Sequence, residues 1–145
     1  MKRISVLNGV NLGALGTRRP EVYGSRTLAD IEEWISAEFP GGVEFDFRQT
    51  DYEGEMVGWV REAGRSSDGL VINPGAWTHY SYALHDALEA VEAPKVEAHL
   101  SNIHAREEWR RHSVVSPAVD ATVVGMGVFG YKVAVSYVLE RLGRV

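Results

Sequence analysis

The sequence predicts an α/β fold, a three-layer sandwich in which a five-stranded parallel sheet lies between two layers of helices. Apolar runs of about five residues alternate along the chain with stretches whose apolar residues recur every three or four positions. Strands that alternate with helices are joined by right-handed crossovers, which produce a parallel sheet covered on both faces. A chain of 145 residues is long enough for one core and too short for two, so we expect a single domain over residues 1–145.

Short apolar runs mark the strands. They occupy residues 3–7, 43–48, 69–73, 95–100 and 120–125. The first contains Ile4, Val6 and Leu7, a nearly continuous apolar run of the kind found in strands that are buried on both faces. Five such strands favour the flavodoxin-like order 2-1-3-4-5 over a barrel.

Helical periodicity marks the connections between the strands. The helical patterns cover residues 27–38, 53–65, 80–91 and 129–142, with a shorter one at 105–111. In the first, Leu28, Ile31 and Ile35 share one face. Thr27 and Asp30 resemble a capping box at its start.

Residues 8–25 interrupt this alternation. Connections between a strand and a helix usually have about two to six residues, and this segment is far longer. It contains four glycines, a proline and the side chains of Arg18, Arg19 and Tyr23. Long loops in compact domains are usually functional lids or disordered segments. Because this one follows the first strand, we expect residues 9–25, approximately, to form a lid over the carboxyl end of the sheet.

Polar residues follow three of the predicted strands. Asn8 ends the first strand, Asn73 ends the third, and His99 and Ser101 lie at the end of the fourth. The carboxyl ends of parallel strands form the ligand crevice of an open α/β sheet. These strand ends therefore predict a polar pocket that carries out chemistry.

His99 is the candidate acid of that pocket. An imidazole titrates near neutral pH, which suits proton transfer. Glu97 lies two residues earlier, so both side chains leave the same face of the strand. A carboxylate there can hold the ring and favour its charged form. The alternative is a structural histidine bonded to a backbone carbonyl, and the neighbouring Ser101 and Asn102 favour the functional interpretation.

Tyr23 is the candidate base. A free tyrosine has a pKa of about 10 and is a poor base at pH 7. Nearby guanidinium groups stabilise a phenolate, and Arg18, Arg19 and Arg106 are available to do so. The residues alone favour the alternative, in which the ring packs on the domain and the arginines are solvated.

Further polar side chains could bind an anionic, oxygen-rich ligand. They are Asn11, Asn73, His79 and Arg110. Each also has a structural explanation. The asparagines are typical turn residues, His79 could face solvent at a helix start, and Arg110 could pair with a nearby glutamate.

Composition and motifs exclude several classes of protein. The net charge is −5 and the basic residues are scattered, so we expect no nucleic-acid partner. There are no cysteines, and the histidines do not show the spacing of a zinc-binding helix. No apolar run has membrane-spanning length and no signal peptide is recognisable, so we expect a cytoplasmic protein without membrane contact. A dinucleotide fingerprint, a Walker A motif and a nucleophile elbow are also missing.

Several motifs in order resemble those of the type II 3-dehydroquinate dehydratases, over essentially the whole chain. They are Leu7-Asn8-Gly9-x-Asn11-Leu12-Gly13-x-Leu15-Gly16, Arg18-x-Pro20-x-x-Tyr23-Gly24, Gln49-Thr50-Asp51-Tyr52-Glu53-Gly54-Glu55, Asn73-Pro74-Gly75-Ala76-x-Thr78-His79 with Ser81, Glu97-x-His99-x-Ser101-Asn102, and Arg106-Glu107-Glu108-x-Arg110. Each motif is modest by itself, and their order and spacing together form a strong signal. The family has the flavodoxin-like fold and uses neither a metal nor an organic cofactor.

The resemblance implies dehydration of 3-dehydroquinate to 3-dehydroshikimate through an enolate. Tyr23 matches the general base, and Arg18 matches the arginine that stabilises its phenolate. Asn11 matches the residue that stabilises the enolate oxygen through an ordered water. His99 matches the general acid that protonates the departing hydroxyl, with Glu97 behind it.

The same resemblance implies how the substrate is held. The matching positions are Asn73, His79, Arg110 and the backbone around Leu100 and Ser101. Asp86 matches an aspartate that reaches a neighbouring subunit's site, which implies a homo-oligomer, a dodecamer built from trimers. Val10, Trp77 and Tyr80 depart from the family pattern, and we expect Trp77 and Tyr80 to border the region that binds the substrate carboxylate.

Two other functions compete with this one. A flavodoxin-like binding or signalling module would need a flavin-phosphate loop or an acidic phosphoacceptor cluster, whereas these strand ends carry Asn, His and Ser. A lyase acting on a related cyclic substrate is the other, with Trp77 and Tyr80 as the residues that would shift specificity. The sequence leaves open whether the reaction serves the shikimate pathway, and so aromatic amino acid biosynthesis, or quinate catabolism.

Overall fold

A computed structural model describes residues 1–143 and shows a five-stranded parallel sheet in the order β2-β1-β3-β4-β5. The strands are β1 (Lys2–Asn8), β2 (Val43–Gln49), β3 (Gly69–Asn73), β4 (Lys95–His99) and β5 (Ala121–Val124). The α-helices are α1 (Pro20–Tyr23), α2 (Leu28–Glu38), α3 (Glu53–Ser66), α4 (Tyr82–Glu89) and α5 (Phe129–Arg141). The predicted strand order is therefore confirmed, and each predicted strand is present with its ends shifted by at most one residue.

The sheet has a hydrophobic core on each face. On one face, Ile4 and Val6 of β1 pack with Ile31 of α2 and Val135 of α5. On the other, the core combines β3 with helices α3 and α4, and its members include Leu7, Met56, Leu70, Ile72, Leu84 and Leu88. Burial on both faces explains the nearly continuous apolar strands. None of the helices within residues 1–143 is both long and apolar enough to cross a membrane.

Side-chain caps set two of the helix starts. At α2 the predicted capping box is confirmed, since Thr27 Oγ1 accepts from the Asp30 amide at 3.1 Å and Asp30 Oδ2 accepts from the Thr27 amide at 3.0 Å. The fourth helix begins at Tyr82, later than the predicted residue 80, because the Ser81 hydroxyl caps it by accepting from the Leu84 amide at 3.1 Å.

Two predictions about the connections are corrected. The helix expected over residues 105–111 is wrong, since two 3₁₀ turns, Ile103–Ala105 and Glu108–Arg111, flank Arg106 in an extended conformation. The long segment after β1 is also more ordered than a plain loop. It contains a 3₁₀ turn at Leu12–Ala14 and the short helix α1, whose first residue is Pro20, a residue suited to a first helical position.

The ends of β1 and β3 approach each other closely. Asn8 and Asn73 are register partners, and the Gly9 amide donates to the Asn73 carbonyl at 2.8 Å. A Cβ at Gly9 would lie 2.8 Å from the backbone oxygen of Pro74. Only glycine therefore allows the two strand ends to adopt this spacing.

We expect Gly9→Ala to destabilise the protein by about 1–3 kcal/mol, because the added methyl group meets backbone that cannot rotate away. Gly54→Ala is the control, since a Cβ there meets no described atom within 4 Å, and it should leave stability unchanged or raise it by up to about 1 kcal/mol. Urea unfolding midpoints measure both effects. Equal midpoints for Gly9→Ala and the parent would contradict the steric argument.

Candidate active site

A pocket opens at the carboxyl ends of β1, β3 and β4. Nine residues proposed from the sequence line it, namely Asn11, Arg18, Tyr23, Asn73, His79, His99, Leu100, Ser101 and Arg110. Val10, Leu12, Gly75, Ala76, Ile103 and Arg106 complete the lining. The structure therefore brings the strand ends and the segment after β1 together around one cavity, as the topology predicted.

The His99 ring is anchored by a buried carboxylate. His99 Nε2 lies 2.5 Å from Oε2 of Glu97, and the Glu97 side chain is fully buried. The Ser116 hydroxyl donates to Glu97 Oε1 at 2.6 Å, and the Thr78 hydroxyl donates to Oε2. Because Glu97 engages Nε2, the Nδ1 atom is the ring nitrogen left for a ligand in the pocket.

These donors keep Glu97 ionised. Burial by itself raises the pKa of Glu97, but the hydrogen bond and charge of the His99 ring oppose it, as do the hydroxyls of Ser116 and Thr78. The result is a pKa below the usual range for glutamate. A carboxylate that is charged at neutral pH lies directly behind the imidazole, and it stabilises positive charge on the ring.

The Tyr23 hydroxyl is held by Arg106. Arg106 Nη1 donates to Tyr23 Oη at 3.0 Å and to Ser101 Oγ at 3.1 Å. Arg18 lies instead over the ring face, with its guanidinium carbon 4.6 Å from the ring centroid. Arg19 is directed elsewhere, since it is exposed and pairs with Glu21 at 3.1 Å. Of the three arginines considered from the sequence, two therefore contact this tyrosine.

Arg106 also carries an unsatisfied donor. Its Nη2 atom is buried, and no acceptor from residues 1–143 lies within hydrogen-bonding distance. A buried guanidinium N–H without an acceptor is energetically costly. Since Arg106 lines the pocket, an anionic or oxygen-rich ligand would remove this penalty.

His79 and Arg110 both contact Trp109, whose ring centroid lies 5.1 Å from that of the His79 ring. His79 Nδ1 is 2.7 Å from the His112 carbonyl oxygen, so Nδ1 carries the proton, and burial lowers the pKa of His79. Arg110 stacks on the Trp109 ring at 4.1 Å, and its Nε donates to Glu107 at 2.5 Å. The glutamate partner considered from the sequence is therefore present, and Arg110 still lines the pocket.

The two asparagines of the pocket differ in burial. Asn11 is exposed and has a left-handed backbone with φ of 68°, and its amide donates to Asp51 Oδ1 at 2.8 Å. Asn73 is buried. Its Nδ2 donates to Tyr131 Oη at 3.0 Å, and its Oδ1 accepts from the Gly75 amide at 3.1 Å.

Three residues considered from the sequence are not part of this pocket in the described chain. Asp86 lies exposed on α4, and its role in a neighbouring subunit's site stays a prediction. Trp77 and Tyr80 do not line the pocket either, since Trp77 is buried in the core between sheet, α3 and α4 and Tyr80 is exposed; that they border the region binding the substrate carboxylate stays a prediction. Val10, the remaining departure from the family pattern, does line the cavity.

Three residues that support the site were not predicted from the sequence. Thr78, Ser116 and Tyr131 bind site residues through their hydroxyls. Thr78 lies within the motif that begins at Asn73, whereas no local sequence pattern around Ser116 or Tyr131 indicates a role in the site. Across residues 1–143, no group of three His, Asp or Glu side chains is arranged to hold a metal ion.

A flavodoxin-like sandwich with an imidazole–carboxylate pair and an arginine-bound phenol in one pocket has the make-up of an acid–base enzyme. A sequence profile of the family described as "Dehydroquinase class II" matches residues 2–139. The "3-dehydroquinate dehydratase" of Variovorax paradoxus is 51% identical over 142 residues, which cover 94% of this chain and 97% of the relative. That of Kineococcus radiotolerans is 51% identical over 143 residues, with 97% of both chains covered.

A solved structure gives the same result. The crystal structure of type II dehydroquinase from Propionibacterium acnes superposes with a TM-score of 0.91, with 45% sequence identity and 97% of both chains covered. The chain therefore belongs to the class II dehydroquinase family, and it is a hydro-lyase of that family.

We expect Glu97→Gln to lower the free energy of unfolding by about 2 kcal/mol at pH 7. The glutamine amide would set N–H donors against His99, Thr78 or Ser116, which donate to the carboxylate in the parent. The folded pKa of Glu97 lies below the unfolded value of about 4.3, so ionised Glu97 stabilises the fold above that pH. The contribution is lost as the pH falls through the folded pKa.

Urea unfolding at pH 7 and pH 3 measures this difference. The advantage of the parent over Glu97→Gln should shrink at pH 3, while the exposed control Glu44→Gln should stay within about 0.5 kcal/mol of the parent at both. An advantage that is the same at the two pH values would contradict a depressed pKa at Glu97.

Proposed function

We propose that this protein dehydrates 3-dehydroquinate to 3-dehydroshikimate through an enolate, with Tyr23 as base and His99 as acid. One observation carries the proposal: a phenol bound by guanidinium and an imidazole bound by carboxylate line the same pocket. Membership of the class II dehydroquinase family and relatives named 3-dehydroquinate dehydratase support the choice of substrate.

Tyr23 starts the reaction by removing a proton from the carbon next to the ketone. As a phenolate, it is stabilised by Arg106 at its oxygen and by Arg18 over its ring. The electron pair of the broken C–H bond passes to the ketone oxygen and forms the enolate. Asn11 lines the pocket and would stabilise that oxygen through an ordered water.

His99 completes the reaction by protonating the departing hydroxyl. The enolate electrons form the new carbon–carbon double bond and restore the ketone, the C–O bond breaks, and the hydroxyl leaves as water after accepting the imidazole proton. Glu97 holds the ring through Nε2, and in this proposal Nδ1 carries the proton that the hydroxyl accepts. Separate groups for acid and base avoid asking one residue to perform both transfers.

The remaining residues of the pocket hold the substrate. Its carboxylate and hydroxyls are oxygen-rich, and they match the donors Asn73 and Arg110 and the backbone of Leu100 and Ser101. His79 offers Nε2 as an acceptor to a substrate hydroxyl, because its Nδ1 hydrogen is bonded to the His112 carbonyl. The unsatisfied Nη2 of Arg106 is a further donor for such a ligand. Burial lowers the pKa of His79 and so favours the neutral ring, which accepts a hydrogen bond at Nε2 without adding charge.

The segment over residues 9–25 acts as a lid in this proposal. It carries Arg18 and Tyr23, and through the Tyr23–Arg106 hydrogen bond it is bound to the segment after β4. Closure over the substrate would exclude water and strengthen the charged interactions at the phenol.

The proposal also covers the wider setting of the enzyme. We propose one catalytic domain over residues 1–145 that assembles into trimers and a dodecamer, in which Asp86 reaches a neighbouring site from its exposed position on α4. Dehydration of 3-dehydroquinate serves either the shikimate pathway or quinate catabolism. We retain the expectation of a cytoplasmic enzyme that needs no cofactor.

The product is a conjugated enone, so purified protein mixed with 3-dehydroquinate should show rising ultraviolet absorbance without any added cofactor. Tyr23→Phe should lower kcat by about 10²–10⁴-fold, since it removes the base and keeps the ring. The control Tyr52→Phe, at a side chain that is 75% exposed, should match the parent. No absorbance change with the folded parent would contradict the proposed reaction, and full activity of Tyr23→Phe would assign the base elsewhere.

A further inference from the structure

We infer that Tyr131 is a positioning residue that makes Asn73 present an N–H donor, and not its carbonyl, to the ligand in the pocket. The inference rests on the proposed function, in which Asn73 holds an oxygen of the substrate. Tyr131 itself does not line the pocket formed by the described residues, and it lies on α5 beneath the sheet. It therefore acts through Asn73.

The direction of the hydrogen bonds determines what Tyr131 offers to Asn73. A phenol has one hydrogen to donate. Tyr131 Oη donates it to Asn8 Oδ1 at 2.5 Å, so towards Asn73 the oxygen can only accept. The group of Asn73 that faces it, 3.0 Å away, must therefore be the amide nitrogen Nδ2.

A second hydrogen bond holds the other end of the Asn73 amide. The Gly75 amide donates to Asn73 Oδ1 at 3.1 Å, so the carbonyl is turned towards the backbone of the following turn. Nδ2 carries two hydrogens, and Tyr131 accepts one of them. Since Asn73 lines the pocket, the second hydrogen remains available to a ligand oxygen.

Burial stabilises this orientation of the Asn73 amide. Tyr131 is 2% exposed and Asn73 is also 2% exposed, so water cannot replace either partner. Burial also raises the pKa of the Tyr131 hydroxyl, which therefore keeps its hydrogen throughout the pH range of a working enzyme. Buried polar groups in a fully bonded chain of this kind favour one arrangement, because each alternative leaves a donor or acceptor unsatisfied.

The hydroxyl is what matters in this inference. The ring of Tyr131 packs in the core with Val135 and Ala134, and phenylalanine would fill the same space. Without the hydroxyl, Nδ2 of Asn73 has no acceptor on that side, and the bond from the Gly75 amide to Oδ1 is the remaining restraint on the amide. A half-turn that breaks this second bond would bring the carbonyl to face the substrate. A carbonyl repels a carboxylate oxygen, which an N–H binds, and it contacts a substrate hydroxyl favourably only by accepting the hydrogen of that group.

Tyr131→Phe should raise KM for 3-dehydroquinate about tenfold and leave kcat within about threefold, because a contact made equally in ground and transition states is lost. Tyr137→Phe is the matched control on the same helix, where the hydroxyl accepts from Arg141 at 2.9 Å, and its KM should stay within twofold. In an Asn73→Ala background, Tyr131→Phe should change KM by no more than twofold, since its route of action is gone.

Tyr131→Phe also leaves Asn8 Oδ1 without its donor, and this could unfold the variant. The pair Tyr131→Phe/Asn8→Ala removes both partners of that bond, which is far less costly, and it should show the same tenfold rise in KM. Urea midpoints establish that the variants are folded.

A KM within twofold of the parent in either folded variant would overturn the inference. So would a full tenfold effect in the Asn73→Ala background, which would show that Tyr131 acts by another route. If the parent turns over 3-dehydroquinate and only these results fail, the proposed function stands without the inference. If the parent shows no turnover, the proposed function and the inference fail together.

Discussion

The ionised carboxylate of Glu97, buried beneath the pocket, is the constraint on which the rest of the site depends. A charge removed from water is tolerated only where hydrogen bonds and an opposite charge replace hydration. The His99 ring and the hydroxyls of Thr78 and Ser116 supply these partners, from β4 and from two 3₁₀ segments. Satisfying the charge therefore fixes the ring of His99, which lines the cavity, through its Nε2 atom. The position of the candidate acid thus results from how the end of β4 is packed around Glu97.

The candidate base is held by a different principle. Tyr23 lies on a segment outside the sheet, and it reaches the pocket because Arg106 binds its oxygen and Arg18 covers its ring. Tyr23 is therefore surrounded by two guanidinium groups, whereas His99 lies against a carboxylate. The proposed function uses these opposite charges to support an acid and a base within one site.

Local patterns in the sequence predicted the parts that depend on local physics. The strand positions and the shared face of Glu97 and His99 follow from side-chain periodicity, the Thr27 cap follows from a short motif, and the sheet order follows from the number and alternation of the strands. Bonds between distant residues left no such pattern. Arg106 meets Tyr23 from 83 positions away, and Tyr131 meets Asn73 from 58. The helix wrongly predicted over residues 105–111 has the same cause. Arg106 is extended between two 3₁₀ turns and bonds to the distant Tyr23, and no local pattern shows that bond.

The central claim is that two different side chains, Tyr23 and His99, act on one substrate as base and acid. Exchange of the proton next to the ketone in D₂O, measured by NMR alongside enone formation, tests it most directly. In His99→Ala, enone formation should fall by about 10²–10⁴-fold while proton exchange continues at a rate close to that of the parent. A parallel loss of exchange and elimination in a folded His99→Ala variant would contradict the account, because the imidazole would then be needed for the first proton transfer as well.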